Sequence, residues 1–432
     1  MKTIFKEVRV LDPESGRDEV LDVLVEGERI KEIGKSVEAG EGKIIEGKGK
    51  WLVPGLIDVH VHLREPGFEY KETFVTGSRS GAMGGFTTMA YMPNTNPVID
   101  NPGIIRALVE KGKGEGIINL HPVGSMTLGQ QGETLGDYGE MKKAGALALS
   151  EDGKSVLDSY VMKQGLLKAQ NEDLPVLVHC EDPSLVAGGA MNEGKKSRAL
   201  GIQGIPNSAE DVITARDLIL SGETGARVHL CHMSTKGSVE LLREAKAKNS
   251  RVSGEVSPHH LTFTEEIIDG IDTNTKMNPP LRREEDRREL IQGLQEGVID
   301  IIATDHAPHS EEDKKQPYEK APFGIVGLET ALSIGLTELV HTGILSPVKF
   351  FEKLTINPAK LLGISRGKLQ AGEIADLTLI DPEASYEIRV ENFQSKSQNT
   401  PFKGRKVKGR AVLTMVSGNI VMENSRLKEA NK

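Results

Sequence analysis

The polar residues of this chain gather where its apolar runs stop. Eight short apolar runs occur between positions 52 and 309: LVPGLIDVHVH, FTTMAYMPN, GIINLHPVG, GALALSEDG, LPVLVHCED, ARVHLCHMS, VSGEVSPHH and VIDIIATDHAPH. Helical patterns separate several of them, among them NPGIIRALVEKG, SVLDSYVMKQGLLKAQ, SAEDVITARDLILSG and SVELLREAKAKN. Strands alternating with helices predict βα units and a parallel sheet. Eight such units predict an α/β chain whose centre is a closed (β/α)₈ TIM-type barrel. The two ends have another rhythm. VLVEGERIKEIG near the start, and GEIADLTLIDP, YEIRV and GRAVLTMVSGNIVMEN near the finish, read as strands and turns. Neither end is long enough for a core of its own. The expectation is that 1–53 and 365–432 pair into one small β domain, with 54–364 inserted as the barrel.

Composition narrows the classes. The 432 residues exceed the ~250 of a single barrel, which leaves room for that second module. Lys and Arg number 54 against 63 Asp and Glu, a net charge of −9, which argues against a nucleic-acid partner. No apolar run approaches the ~20 residues of a membrane span. The start, MKTIFKEVRV, has no apolar signal core. Two cysteines, Cys180 and Cys231, exclude a disulfide scaffold, so a cytoplasmic location is expected.

The eleven histidines decide where chemistry should lie. All but His341 fall within the eight apolar runs. In a (β/α)₈ barrel the active site is built at the C-terminal ends of the strands. His60 and His62 stand at i and i+2, so on a strand both side chains share one face. Alone, that pair is compatible with two satisfied core histidines. His179 closes the fifth run, His232 the sixth and Asp305 the eighth, and Asp152 follows the fourth. Five strand ends thus offer four His and two Asp to one point. Nitrogen and oxygen ligands without an obligate thiolate suit Zn²⁺, and Mn²⁺, Co²⁺ or Fe²⁺ are alternatives. Six groups exceed the three protein ligands of one catalytic zinc. Two readings follow: two ions bridged by Asp152, or one ion with the remaining groups moving protons. Strand alternation predicts that Cys180 and Cys231 face away from His179 and His232, as small buried hydrophobes, and that His229 is structural. His121, His259, His260 and His306 are candidates for orienting ligands from outside. The charged stretch 309–324 reads as a solvated, mobile loop, and 309–320 within it as a candidate lid.

Together these motifs carry a resemblance. DVHVHLREPG, YMPNTNP, the HCED and CHMS strand ends, KMNPPLR and TDHAPH resemble the dihydroorotase family of the amidohydrolase superfamily, and GKLQAGEIADLTLIDP is similar to that superfamily's closing segment. The resemblance covers nearly the whole chain. It implies reversible hydrolysis of dihydroorotate to N-carbamoyl-L-aspartate, a step of pyrimidine synthesis. It implies His60 and His62 on a first metal, Asp152 shared, His179 and His232 on a second, and Asp305 as metal ligand and catalytic carboxylate. Arg64, Asn94, Asn278, His309, Phe323 and Gly324 match substrate-binding positions. Many relatives bridge their metals with a carboxylated lysine; here the fourth strand end is ALSEDGKS, which places Asp152 there and Lys154 beyond it. Arg64, two residues past His62 and expected on the same strand face, would offer a bidentate fork to the substrate carboxylate. The alternatives are a dihydropyrimidinase, hydantoinase or allantoinase, and a scaffold partner of aspartate transcarbamoylase with little activity alone. Expected partners are the small-molecule substrate, further copies of the chain and, as in some members, aspartate transcarbamoylase.

Overall fold

Alternation between short extended segments and helices produces two large sheets and one two-stranded pair in the computed structural model, which describes residues 2–38, 40–248 and 251–428. The chain begins with β1 (Lys2–Asp12), β2 (Arg17–Glu26), β3 (Arg29–Gly34), β4 (Lys43–Glu46) and β5 (Trp51–Pro54). Then come β6 (Leu56–Val61), β7 (Phe86–Tyr91), β8 (Asn119–Ser125), β9 (Ala148–Ser150) and β10 (Val176–Val178). A small parallel pair, β11 (Met191–Asn192) and β12 (Gly204–Ile205), precedes β13 (Val228–Leu230), β14 (Val252–Val256) and β15 (Ile301–Ile302). The chain closes with β16 (Leu377–Glu387), β17 (Lys406–Val416), β18 (Asn419–Glu423) and β19 (Arg426–Leu427).

The eight strands β6 to β10 and β13 to β15 form one parallel sheet in sequence order. They correspond one to one with the eight apolar runs. The sheet closes on itself where Val61 bridges His306 and the His62 amide donates to the His306 carbonyl at 2.9 Å. Alternate residues Ile57, Val59, Ala90, Val123, Leu177, Cys231, Ile301 and Ala303 fill its interior, and Ala359 and Leu362 pack with them. The remaining faces of these strands pack on the surrounding helices. Helix starts follow ordinary capping chemistry. Asn101 accepts from the amides of Gly103 and Ile104 ahead of helix Pro102–Glu115, and Asp158 caps Ser159–Asn171 in the same way. No helix among the described residues is long and apolar enough to cross a membrane.

The second sheet runs β19-β18-β17-β16-β5-β1-β2-β3, with β4 paired to β1. Both ends of the chain build it. The join is the antiparallel pairing of β5 with β16, Val53 opposite Thr378. Its core draws Phe5, Val10 and Val23 from one end and Leu377, Leu413 and Met415 from the other. Its other face docks on the barrel: Trp51 meets Phe351 edge-on at 6.3 Å, and Thr378 Oγ1 donates to the Gly85 carbonyl at 2.6 Å. Gly85, at φ +90°, ends helix Phe74–Gly84; a Cβ there would stand 2.8 Å from Thr378 Cγ2.

Between β16 and β17 the chain leaves this sheet and runs back over the barrel. Residues 394–399 form a strap held by two carboxylates, the buried Glu72 and the half-buried Glu329. Glu329 accepts the amides of Gln394 (2.7 Å) and Ser395 (3.2 Å), and Glu72 accepts from Ser395 Oγ. Burial raises the Glu329 carboxyl from 4.5 to about 7, against the amides that favour its charge. An acid whose pKa is raised on folding favours the folded state below its unfolded pKa. That advantage disappears as pH climbs through 7. Glu329→Gln should therefore gain stability over the native chain at pH 8 and none at pH 4, by chemical denaturation. A gap that does not change with pH would refute this account of the Glu329 carboxyl.

Candidate active site at the barrel rim

The strand ends carry their polar residues into one cavity of about 330 Å³. It is lined by His62, Arg64, Asn94, Asp152, His179, His232, Asn278, Asp305, His309, Phe323 and Gly324, among others. His60 lies just beneath, fully buried. All twelve residues singled out in the sequence therefore come together, although 264 positions separate the first from the last.

The imidazoles and carboxylates interlock. His60 Nε2 stands 3.3 Å from Asp152 Oδ1 and 3.6 Å from Asp305 Oδ1. His62 Nε2 stands 3.4 Å from Asp152 Oδ2 and 3.3 Å from Asp305 Oδ1. His179 Nδ1 and His232 Nε2 are each 3.7 Å from Asp152 Oδ1. Two ligand triads share Asp152: His60 and His62 with it on one side, His179 and His232 with it on the other. A third triad joins His60, His232 and Asp305. Burial by itself would raise both carboxyls. The charges and hydrogen bonds of the neighbouring imidazoles, His60 foremost, outweigh it and hold both well below the usual carboxylate range. His60 Nε2 and Asp152 Oδ1 are fully buried without a hydrogen-bond partner. Buried polar atoms are rarely left so. Converging, unsatisfied nitrogen and oxygen atoms are what a divalent cation requires, and the cluster is able to hold one.

Second contacts fix these rings. Glu255 Oε1 accepts from His60 Nδ1 at 2.6 Å and from the His232 amide at 3.3 Å, while its Oε2 accepts from His229 Nε2 at 3.0 Å. His229, held on its other side by Ser253 Oγ at 2.7 Å, fixes Glu255, and the bond to His60 Nδ1 turns that ring so that its Nε2 faces the cluster. Asn94 Oδ1 lies 3.0 Å from His62 Nδ1 and does the same there. Glu255 escaped the sequence reading. The available signal was a lone carboxylate inside the apolar run VSGEV, where a charge is tolerated only with partners.

Several local expectations are corrected. Arg64 is not on the strand face of His62. The strand stops at Val61, and Arg64 has a left-handed backbone (φ 62°) that swings its side chain into the cavity. Cys231 does not face away from the site: it points into the barrel, in one group with His60 and Glu255. His232 also turns inward because it breaks alternation with φ 31°. Burial pushes the Cys231 thiol up, so it stays protonated and is a poor ligand. Cys180 packs outside the barrel wall, as expected. His229 faces inward and supports Glu255. His121 belongs to the first half of β8, toward the opposite rim, so it orients no ligand. His260 bonds to the Pro279 carbonyl, and His306 to Glu72 and the Gly327 amide, rather than to the cluster. The stretch 309–324 is solvated only in part: Glu311, Glu312, Lys315, Gln316, Glu319 and Lys320 are exposed, and other residues anchor it. Tyr318 packs with Met191, Ile202 and Ile268, and Lys314 is buried with its Nζ on the carbonyls of Pro322 (2.9 Å) and Gly324 (3.1 Å). Alternating charges there concealed one aromatic anchor and one lysine whose stem and head both have partners. Lys154 donates to the Gln130 carbonyl at 3.0 Å, away from the cluster.

On the substrate side, His309 Nε2 is 2.8 Å from the Phe323 carbonyl, which only accepts, so this nitrogen carries the proton. Its Nδ1 then accepts from Lys71 Nζ at 3.2 Å. Burial, with Arg64 and Lys71 close by, keeps the ring neutral. Arg64 commits Nε to the Pro308 carbonyl at 3.2 Å, its Nη2 lies 3.3 Å from His309 Nε2, and its guanidinium lines the cavity. Burial lowers its pKa only to about 10, so it remains a cation near neutrality. Asn278 donates to Glu181 at 2.6 Å, and Glu181 in turn faces His179 at 3.7 Å.

Comparison with known proteins agrees with this geometry. Residues 49–238 match the family described as dihydro-orotase-like. The chain is 49% identical to a dihydroorotase of Pelotomaculum thermopropionicum over 98% of this chain and 99% of that one. It is equally similar to a dihydroorotase of Endomicrobium trichonymphae, at 49% identity over 98% of this chain and all of the other. Among solved structures, the L-hydantoinase of Arthrobacter aurescens superposes with a TM-score of 0.89 at 27% identity, covering 99% of this chain and 97% of that one. The dihydropyrimidinase of Brevibacillus agri has the same fold, with a TM-score of 0.86 at 24% identity over 99% and 96% of the two chains. Fold and site thus define an amidohydrolase-type barrel enzyme that acts on cyclic amides. Within that class, the chain belongs to the dihydroorotase family.

Proposed function

We propose that the chain hydrolyses (S)-dihydroorotate reversibly to N-carbamoyl-L-aspartate at this rim cavity, in pyrimidine synthesis. The observation that carries the proposal is the pairing, in one cavity, of a His/Asp cluster with a buried, charged Arg64. His60, His62, Asp152, His179, His232 and Asp305 would hold one or two divalent ions. Zn²⁺ is the proposed metal because all six donors are nitrogen or oxygen and Cys231 stays a thiol. Such an ion, when bound, would lower the pKa of water toward neutrality and polarise the scissile carbonyl. Asp305 takes the proton of the attacking water and returns it to the leaving ring nitrogen. Arg64 pairs with the substrate carboxylate; Asn94, Asn278, His309 and the backbone at Phe323 and Gly324 complete the orientation. The same reading treats 1–53 plus 365–432 as the small β domain and 54–364 as the catalytic one. It places the enzyme in the cytoplasm as a homo-oligomer, with aspartate transcarbamoylase as a candidate partner.

The hydantoinase and dihydropyrimidinase superpositions favour a second reading, a hydrolase of neutral rings. Arg64 argues against it, since dihydrouracil and hydantoin carry no carboxylate for it to meet. An assay of dihydroorotate beside dihydrouracil, hydantoin and allantoin separates the readings, and turnover of the acid is expected to dominate. Arg64→Met should raise KM for dihydroorotate roughly 10- to 100-fold, the ~1.5–3 kcal/mol of charge-assisted hydrogen bonds. Equal turnover of neutral rings by the native enzyme would overturn the assignment.

A further inference from the structure

The strap 394–399 comes from the chain's far end, yet one of its side chains bonds to Ala307, His309 and Gly324, which line the cavity. Asn399 is 3% exposed, and all of its side-chain hydrogen-bonding groups are engaged. Its Nδ2 donates to the Ala307 carbonyl at 3.0 Å and to the Gly324 carbonyl at 2.9 Å. Its Oδ1 accepts the His309 amide at 3.1 Å. Its own carbonyl accepts the Val326 amide at 2.9 Å. One carboxamide thus ties together the two loops that present His309 and the Phe323–Gly324 backbone. These loops touch closely. Gly324 has φ +153°, and a Cβ on it would lie 2.6 Å from the Ala307 carbonyl oxygen and 2.7 Å from His309 Cδ2. So close an approach needs a donor between the two carbonyls that would otherwise face each other.

We propose that Asn399 is a positioning residue of the substrate cavity, clamping loop 307–309 to loop 324–326 so that His309 and the Phe323–Gly324 backbone meet the substrate in register. The proposal rests on the dihydroorotate reading for its kinetic consequence but not for the clamp itself. Asparagine alone among residues of this size offers two donors and one acceptor in a plane. Aspartate would keep the acceptor for His309 and set a carboxylate against two carbonyls. Alanine would leave the Ala307 carbonyl and the His309 amide unmet, and the Gly324 carbonyl with Lys314 Nζ alone.

The test compares Asn399→Ala and Asn399→Asp with Glu329→Ala. Glu329 anchors the strap at Gln394 and Ser395 and does not line the cavity, so its loss reports a merely structural role for the strap. Amide hydrogen exchange in peptides spanning 305–311 and 321–327 reads the clamp without any substrate. Both Asn399 variants should exchange faster there, and Glu329→Ala should not. KM for dihydroorotate should rise by at least about tenfold in Asn399→Ala, as expected for unmet buried polar groups. Its kcat and bound metal should stay near native, and KM of Glu329→Ala should too. Unchanged exchange in both loops would overturn the clamp, as would a KM in Glu329→Ala raised as far as in Asn399→Ala. A native enzyme inert toward dihydroorotate would defeat the substrate reading, and exchange would still decide the clamp.

Discussion

Asp305→Asn is expected to lower kcat by about 10²- to 10⁴-fold, the range that a positioned acid–base group contributes. The substitution keeps size and one acceptor oxygen but removes the group able to take and return a proton. Asp305 is suited to that task by location. It follows β15, its left-handed backbone (φ 47°) turns it over the rim, and Oδ1 sits 3.3 Å from His62 Nε2 and 3.6 Å from His60 Nε2. Those imidazoles hold the carboxyl below its ordinary range, so it is ionised and free to accept. Metal content should remain near native in the variant, because asparagine keeps an oxygen that can face His60 and His232 and the two triads built on Asp152 are untouched. Steady-state turnover together with metal analysis checks both halves. Turnover close to native would break the proton-transfer role and leave the cluster standing.

The second large effect is expected from Asp152→Ala. Asp152 is the carboxylate common to the His60/His62 and His179/His232 triads, 3% exposed and with one oxygen lacking any hydrogen-bond partner. Its removal takes one of two negative charges from a group otherwise made of imidazoles. Neutral rings alone bind a divalent ion less firmly, and the four histidines no longer share a point of convergence. Loss of outer-shell support by itself costs about 10- to 100-fold in metal affinity or activity, so loss of this ligand should exceed the upper figure. Bound metal and kcat/KM should fall together and recover in part when metal is added in excess. Full metal occupancy in the purified variant would show that Asp152 does not hold the ion.

Comparing prediction with structure shows which forces a linear pattern reveals. The eight barrel strands were legible because buried parallel strands read as continuous apolar runs. The cluster was legible because barrel enzymes place polar residues where such runs end. What failed were inferences that extended strand alternation past the strand. Alternation put Arg64 on the face of His62 and turned Cys231 away from the site. In fact β6 stops at Val61, and His232, Arg64 and Asp305 each adopt positive φ. At these corners the backbone itself re-aims the side chains, and no period-two rule survives there. Composition misjudged 309–324 for a different reason. Charged residues average out as solvated, while Tyr318 and Lys314 are buried by partners from the 191–202 and 322–324 segments.

Residue types and spacing alone determined the barrel, the six imidazole and carboxylate donors and the family resemblance. Each follows from local periodicity and from which side chains can bind a cation. Tertiary structure alone decided that Glu255 orients two ligand residues, that Glu329 and Glu72 hold a strap, and that Asn399 joins the loops around Gly324. These are contacts between segments up to 324 positions apart, each resting on a hydrogen bond made only after burial has removed water. A buried donor or acceptor has value only through its partner, and the partner's identity is set by the folded path of the chain.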